Sequence, residues 1–133
     1  MTKTERAIYQ EALQKAEEVA QATIPEPMIV GTAKTFFGNE IDETKKTYLV
    51  AGGVCGFAWI VVKPALGKFV KWLKINNIGY KAYGGGWAIP ARPEFTKNNP
   101  LTQSLVINEA WARAFAQVLR DNGLNAYAES RMD

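Results

Sequence analysis

The sequence contains no histidine and a single cysteine, Cys55. Catalytic systems in which a histidine activates a serine or cysteine nucleophile are therefore excluded within one chain. Zinc sites lose their commonest nitrogen ligand, and one cysteine can neither close an intrachain disulfide nor supply a thiolate cluster. Because Cys55 lies within an apolar run, we predict a small buried hydrophobic residue rather than a reactive thiol. The scarcity of cysteine also favours a reducing, cytoplasmic compartment.

Long apolar runs are missing as well. No stretch of about eighteen apolar residues occurs, so we expect no membrane span, and the charged and polar first residues predict no signal region. The chain has 133 residues, of which 47% are hydrophobic. This is enough for one domain with one core.

Charge is distributed unevenly along the chain. Residues 1–46 carry eight acidic and six basic side chains, whereas residues 47–133 carry five acidic and ten basic ones. A basic region behind an acidic leader favours a polyanion or an acidic protein as partner. We predict an N-terminal helix and extended arm over residues 1–46 and an α+β core domain over residues 47–133.

The first segment has the pattern of a helix. Thr2 and Glu5 form a capping box, and Pro25 ends the periodic region. A face rich in alanine and poor in large residues recurs at helical spacing: Tyr9, Ala12, Ala16, Val19 and Ala20, with Ile8 and Leu13 beside them. Because such a stripe buries little surface, we expect this helix to pack on the main domain or on another subunit. A short extended piece is expected near residues 28–30.

Two β-rich runs, "TYLVA" and "VCGFAWIVV", flank Gly52 and Gly53. A glycine pair in this setting predicts a two-residue hairpin. The second run is apolar on both faces, which is typical of a central, covered strand. A helix is predicted over residues 65–77, since its apolar residues follow the 3.6-residue period: Leu66, Phe69, Val70 and Leu73.

The segment "GYKAYGGGWAIPAR" alternates on both sides of three consecutive glycines. This predicts a second hairpin. A phosphate-binding loop is the less favoured alternative, because neither a GK[ST] continuation nor the G-x-G-x-x-G spacing is present. A second helix is predicted over residues 108–122, with a buried face: Ile107, Trp111, Phe115, Val118 and Leu119. Gly123 ends it, and the last residues alternate as a strand.

From Val54 onward the predicted order is β-α-β-β-α-β. This order predicts a ferredoxin-like α+β fold, in which one antiparallel sheet carries two helices on one face. The "TYLVA" strand is expected to join an edge of that sheet.

Cations combined with aromatic residues form the best candidate binding set. Lysines on a helix and cations near the second hairpin could contact phosphates, while aromatics on an open sheet face can stack bases. The candidates are Lys68, Lys71, Lys74, Lys81, Tyr83, Trp87, Arg92 and Tyr127, with Tyr80 as a further stacking residue. However, the RNP1 signature of RNA-recognition modules is absent, and a lysine stripe is also typical of a plain solvated helix face.

Carboxylates cluster at Glu40, Asp42 and Glu43. A divalent cation would need oxygen ligands from more than one place. A solvated acidic loop is therefore the favoured interpretation, and a metal site is the alternative.

The stretches "GGVCGFAWIVVKPALGKFVKWLK" and "NEAWARAFAQVLRDNGLNAYAESRMD" resemble a family of small proteins encoded by tailed bacteriophages. The resemblance covers about residues 47–133. It implies expression in an infected bacterium as an accessory or virion-associated protein, located in the host cytoplasm or in the virion. It carries over no catalytic motif and no site residue.

A one-sided sheet rich in aromatics also suits a protein partner, because burying each aromatic contributes about 1.5–3 kcal/mol and exposed apolar patches mark interfaces. We therefore expect a non-enzymatic protein, without cofactor or metal, that acts through protein–protein interaction and self-association. Single-stranded nucleic-acid binding is the alternative, and a metal-dependent enzyme using carboxylates is the third possibility. The partner, the oligomeric state and the stage of action are left open.

Overall fold

The computed structural model describes residues 4–23, 55–96 and 104–132, together with the backbone of two short strands at 28–31 and 47–50. The described chain is an α+β fold with three helices and a four-stranded antiparallel sheet. Its elements in chain order are α1 (Glu5–Ala22), β1 (Met28–Gly31), β2 (Thr47–Val50), β3 (Gly56–Lys63), α2 (Lys68–Ile75), β4 (Tyr80–Lys81), β5 (Trp87–Pro90), a short 3-10 turn (Glu94–Thr96), α3 (Leu105–Asp121) and β6 (Asn125–Met132). Among these helices, none is long and apolar enough to cross a membrane.

The main sheet has the strand order β4-β5-β3-β6, and every neighbouring pair is antiparallel. β3 pairs with β6 along its whole length, from Gly56 opposite Met132 to Lys63 opposite Asn125. On its other side β3 pairs with β5, with Ile60 opposite Ile89. The predicted central position of the apolar run is thus confirmed.

The glycine-rich segment forms the predicted hairpin between β4 and β5. The Ala82 N–H donates to the Gly86 carbonyl at 3.0 Å, and the Gly85 N–H donates to the Ala82 carbonyl at 3.2 Å. The three glycines of the tip all have positive φ angles, which only glycine adopts without strain. Because β5 follows the tip rather than a helix, the segment lacks the helix N-terminus of a phosphate-binding loop.

The prediction that "TYLVA" joins the main sheet is wrong for the described residues. Its strand, β2, pairs antiparallel with β1 in a separate two-stranded sheet, with Met28 opposite Val50. A glycine pair permits a tight turn but does not select the partner strand, and the β-rich residues 28–30 offer a competing one. The extended piece expected there is confirmed, whereas the turn at residues 52–53 and the acidic residues 40–43 lie outside the described residues.

Both core helices begin at positions other than those predicted. α2 begins at Lys68 because Gly67 is its extended N-cap residue; Leu66 therefore lies before the helix, 77% exposed, and does not belong to the buried stripe. α3 begins at Leu105, since the Ser104 Oγ accepts from the Ile107 N–H and caps the helix earlier. The other predicted apolar positions of both helices are buried.

Cys55 was expected to be buried within β3, but it is exposed. It forms an isolated bridge with Ser104 just before β3 begins. The prediction failed because Cys55 precedes β3, which starts at Gly56, so the apolar run extends beyond the covered part of the strand.

The main core lies between the helices and one side of the sheet. From the sheet it contains Ala58, Ile60, Val62, Ile89 and Ala126, and from the helices it contains Phe69, Val70, Leu73, Ile107, Trp111, Phe115 and Leu119, among others. Alternation along each strand places these residues on one side. The opposite side carries a smaller cluster of Val61, Ala82 and Ala88, packed beneath Trp59 and Tyr127.

α1 packs along α3 and joins the main core. Its N-cap is Thr4, not Thr2, because the Thr4 Oγ1 accepts from the Ala7 N–H at 3.1 Å. The buried seam consists of Ile8 and the fully buried Ala12, Ala16 and Ala20. Tyr9 lies between α2 and α3, with ring centroids 5.3 Å from Trp72 and 5.6 Å from Phe115. The expectation that this helix packs on the main domain is confirmed.

Candidate functional site

The side of the sheet away from the helices carries an aromatic and basic surface. We call this side, which bears Phe57, Trp59 and Tyr127, the open face. Along β3, Phe57 and Trp59 alternate with the core residues Ala58 and Ile60, so the period of two directs both aromatics to the open face. All three described helices bury their apolar residues on the other side.

Three cross-strand contacts organise the open face. The Arg131 guanidinium lies 5.9 Å from the centroid of the Phe57 ring, and the Trp59 Nε1–H donates to Glu129 Oε2 at 3.0 Å. At the other end of β3, Lys63 Nζ lies 5.6 Å from the centroid of the Tyr127 ring.

The first two contacts join directly opposite residues of β3 and β6, whereas Lys63 reaches Tyr127 diagonally, because Lys63 is opposite Asn125. Phe57 is opposite Arg131, and Trp59 is opposite Glu129. Side chains directly opposite each other in antiparallel strands lie close enough for such contacts. A cation beside each of two aromatic rings makes a surface that is apolar and positively charged at the same positions.

A cleft of about 780 Å³ opens at one end of the open face. This volume falls within the range of about 300–1,000 Å³ that is usual for ligand pockets. Its wall includes Phe57, Trp59, Tyr80, Arg92, Glu94 and Arg131. The cleft therefore combines three aromatic rings with two arginines.

The wall of the cleft beyond β5 is attached to the helix layer. Glu17 of α1 accepts hydrogen bonds from the Glu94 backbone N–H and from Trp111 Nε1. The Ala91 N–H donates to the Ala58 carbonyl at 2.9 Å, which extends the β5 pairing by one residue. These bonds hold the segment that carries Arg92 beside the open face.

The structure separates the predicted candidates into two groups. Arg92 lines the cleft, and Tyr127 lies on the open face together with Tyr80 at the cleft wall. The others lie on α2 or around the hairpin: Lys68, Lys71, Lys74, Lys81, Tyr83 and Trp87. Tyr83 is fully exposed near the hairpin tip and does not line the cleft.

Trp87 and Lys74 are joined in contacts on the helix side of the sheet. Trp87 is half-buried against the main core, and its Nε1–H donates to the Ile78 carbonyl at 2.7 Å. Lys74 Nζ lies 5.1 Å from the centroid of the Trp87 ring and donates to the Ala65 carbonyl at 3.1 Å. These two residues connect α2, β5 and the turns beside them, so their contacts are structural.

Sequence reasoning missed Phe57, Trp59, Lys63 and Arg131 as site residues. The signal available was the two-residue alternation of Phe57, Trp59 and Lys63 along one strand. The run also reads as uniformly apolar, because its other face supplies the core. Arg131 becomes recognisable only through its pairing opposite Phe57.

Within residues 4–23, 55–96 and 104–132, no group of three acidic or cysteine side chains is arranged to hold a metal ion. The acidic cluster at residues 40–43 lies outside this part of the chain. Burial raises the pKa of Tyr9 above its usual value of 10.0, and this residue belongs to the helix layer. No protein-family model, no curated protein and no solved structure matches this chain.

Proposed function

We propose that this chain is a non-enzymatic binding protein whose open face binds single-stranded nucleic acid. The observation that carries the proposal is the placement of Phe57 and Trp59 two residues apart on a central strand, pointing to the same side. Two residues of a strand span about 6.6–6.8 Å, so the two rings form adjacent platforms. Aromatic platforms of this kind stack successive unpaired bases.

The charges around the platforms support a polyanionic ligand. Lys63 and Arg131 lie beside aromatic rings, and Arg92 is an exposed residue of the cleft wall. Glu129 accepts a hydrogen bond from the Trp59 indole. Cations interleaved with rings suit a ligand in which phosphates alternate with bases.

The exposed apolar groups of the open face also support a ligand that stacks on aromatic rings. Phe57 and Tyr80 are about half exposed, whereas Val61 and Ala88 are almost fully buried. The available apolar surface is therefore mainly aromatic, which suits the stacking of unpaired bases.

We also propose that the fold from β3 onward is ferredoxin-like. The order β4-β5-β3-β6, with α2 between β3 and β4 and α3 between β5 and β6, supports this topology. In this arrangement the helices cover one side and leave the other free for a ligand. The resemblance to small phage-encoded proteins supports the further proposal of an accessory role in an infected bacterium.

The test measures binding of a labelled oligothymidylate and a labelled oligouridylate by anisotropy, in low and moderate salt, with a duplex of equal length for comparison. We expect the single strands to bind more tightly than the duplex. Phe57→Ala should weaken binding about tenfold, since stacking contributes about 1–3 kcal/mol per base. Arg92→Gln should reduce the slope of log K against log salt by about 0.7 if this arginine contacts one phosphate.

Tyr83→Ala is the matched control, because it removes an exposed aromatic ring that does not line the cleft. Its affinity should equal that of the wild type. Absence of single-strand binding in low salt would refute the proposal and favour a protein partner instead. Equal losses from Phe57→Ala and Tyr83→Ala would show that the open face is not the binding surface.

A further inference from the structure

We infer that a second copy of this chain pairs with the outer edge of β6, so that two main sheets join across a two-fold axis. β6 is eight residues long and lies at the end of the strand order. Among the described strands, only β3 pairs with it. An exposed edge of this length presents unpaired backbone groups to another strand.

Two hydrogen bonds establish which β6 residues direct their backbone groups outward. The Ala91 N–H donates to the Ala58 carbonyl on the β5 side of β3. In an antiparallel strand, the N–H and C=O of one residue point to the same side, and the side alternates along the strand. Phe57, Trp59 and Val61 therefore direct their backbone groups toward β6. Their partners on β6 bond back to β3: Arg131, Glu129 and Tyr127.

The remaining residues of β6 consequently point their backbone groups away from the sheet. These are Ala126, Ala128, Ser130 and Met132. An independent contact supports this assignment, because Arg120 Nη1 donates to the Ala126 carbonyl at 2.8 Å from α3. Arg120 thus occupies one end of the edge and leaves Ala128, Ser130 and Met132 for a partner strand.

The charges select one register for pairing two β6 strands. When Ser130 lies opposite itself on the two-fold axis, Ala128 lies opposite Met132 of the partner subunit, and both pairs can exchange N–H···O=C bonds. In the same register Glu129 lies opposite Arg131 of the partner subunit on the open face, twice by symmetry. Opposite charges at directly facing positions stabilise strand pairing.

Neighbouring registers are disfavoured by contacts already described. An axis at Glu129 or at Arg131 would set like charges directly opposite each other, which destabilises the pair. An axis at Ala128 would place Ser130 opposite Ala126, whose carbonyl already accepts from Arg120. The register centred on Ser130 therefore combines free backbone groups with complementary charge.

This dimer would extend each four-stranded sheet into a continuous sheet of twice that width, with the two open faces side by side. Its existence does not depend on the proposed nucleic-acid binding, because the pairing uses backbone groups and the pair Glu129 and Arg131. If both proposals hold, one strand of ligand could contact two adjacent platforms.

Charge reversal tests the pairing, with mass measured by sedimentation in the absence of nucleic acid. The wild type should form a dimer. Glu129→Arg and Arg131→Glu should each raise its dissociation constant about tenfold or more, because each places two like-charge pairs across the axis. The double variant Glu129→Arg/Arg131→Glu should restore the wild-type constant.

Lys81→Glu is the matched control, since Lys81 is an exposed cation on β4, at the opposite edge of the main sheet from β6. It should leave the dimer unchanged. A wild type that stays monomeric at high concentration would overturn the inference, as would single reversals that leave the dimer intact or a double variant that stays as weak as the singles. Phe57→Ala should remain dimeric, which separates this outcome from that of the binding experiment.

Discussion

Gly79, between α2 and β4, allows a sharp test of how the second hairpin is held to the helix layer. Its φ angle is +83°, a region that costs an L-residue about 1–2 kcal/mol. A Cβ placed there would overlap the Ala88 carbonyl oxygen and lie 2.6 Å from Trp87 Nε1. Neither neighbour can move freely, because one is backbone of β5 and the other donates to the Ile78 carbonyl.

We therefore expect Gly79→Ala to strain the backbone at this position and to disrupt the hydrogen bond from Trp87 Nε1 to the Ile78 carbonyl. Backbone strain of about 1–2 kcal/mol adds to about 1–3 kcal/mol for disrupting a part-buried bond. The free energy of unfolding should fall by about 2–5 kcal/mol in total. Urea unfolding followed by far-UV circular dichroism measures this difference directly.

Gly84→Ala is the control, because Gly84 has nearly the same backbone φ angle as Gly79. Gly84 has a φ angle of +89°, and a Cβ there would meet nothing within 4 Å. The free energy of unfolding should therefore fall only by the backbone strain of about 1–2 kcal/mol. If the two variants lose equal stability, the close approach of Gly79 to Trp87 and Ala88 does not contribute, and the reasoning is wrong.

Three further changes probe the helix layer. Phe115→Ala removes a fully buried ring stacked on Trp111 at 5.1 Å and should cost about 3–5 kcal/mol in urea unfolding; a loss below about 1 kcal/mol would contradict its central position. Ala16→Leu overfills the seam between α1 and α3 and should cost about 1–3 kcal/mol, whereas the exposed Gln14→Leu should be nearly neutral. Burial raises the pKa of Tyr9 above 10.0, so above that pH unfolding releases a proton and stability falls as pH rises. Tyr9→Phe should show a shallower decline in stability above pH 10.0, and an unchanged decline would exclude this phenol as a cause.

The local elements were largely readable from the sequence because they depend on periodicity and turn chemistry. The β4–β5 hairpin follows from alternation around three glycines, and the buried faces of α2 and α3 follow from helical spacing. Helix starts were less predictable, since Gly67 caps α2 through its extended backbone and Ser104 caps α3 through its hydroxyl, and helical spacing reveals neither cap.

The candidate site was harder to predict because it is made by pairing between distant segments. Phe57 and Arg131 are 74 positions apart and meet only through the register of β3 with β6. The lysines of α2 were conspicuous as a stripe, but helical periodicity cannot show that α2 lies on the side opposite the aromatic platforms. The partner of β2 was missed for the same reason, since a turn signal contains no information about competing strands.

The placement of the four tryptophans gives the molecule a built-in optical reporter. Trp72, Trp87 and Trp111 belong to the helix side, where they pack against the main core. Trp59 alone of the four is on the open face, where its Nε1–H donates a hydrogen bond to the Glu129 carboxylate. Intrinsic emission therefore separates by origin: quenching by a stacked molecule would come from one indole, while the other three would report unfolding of the interior.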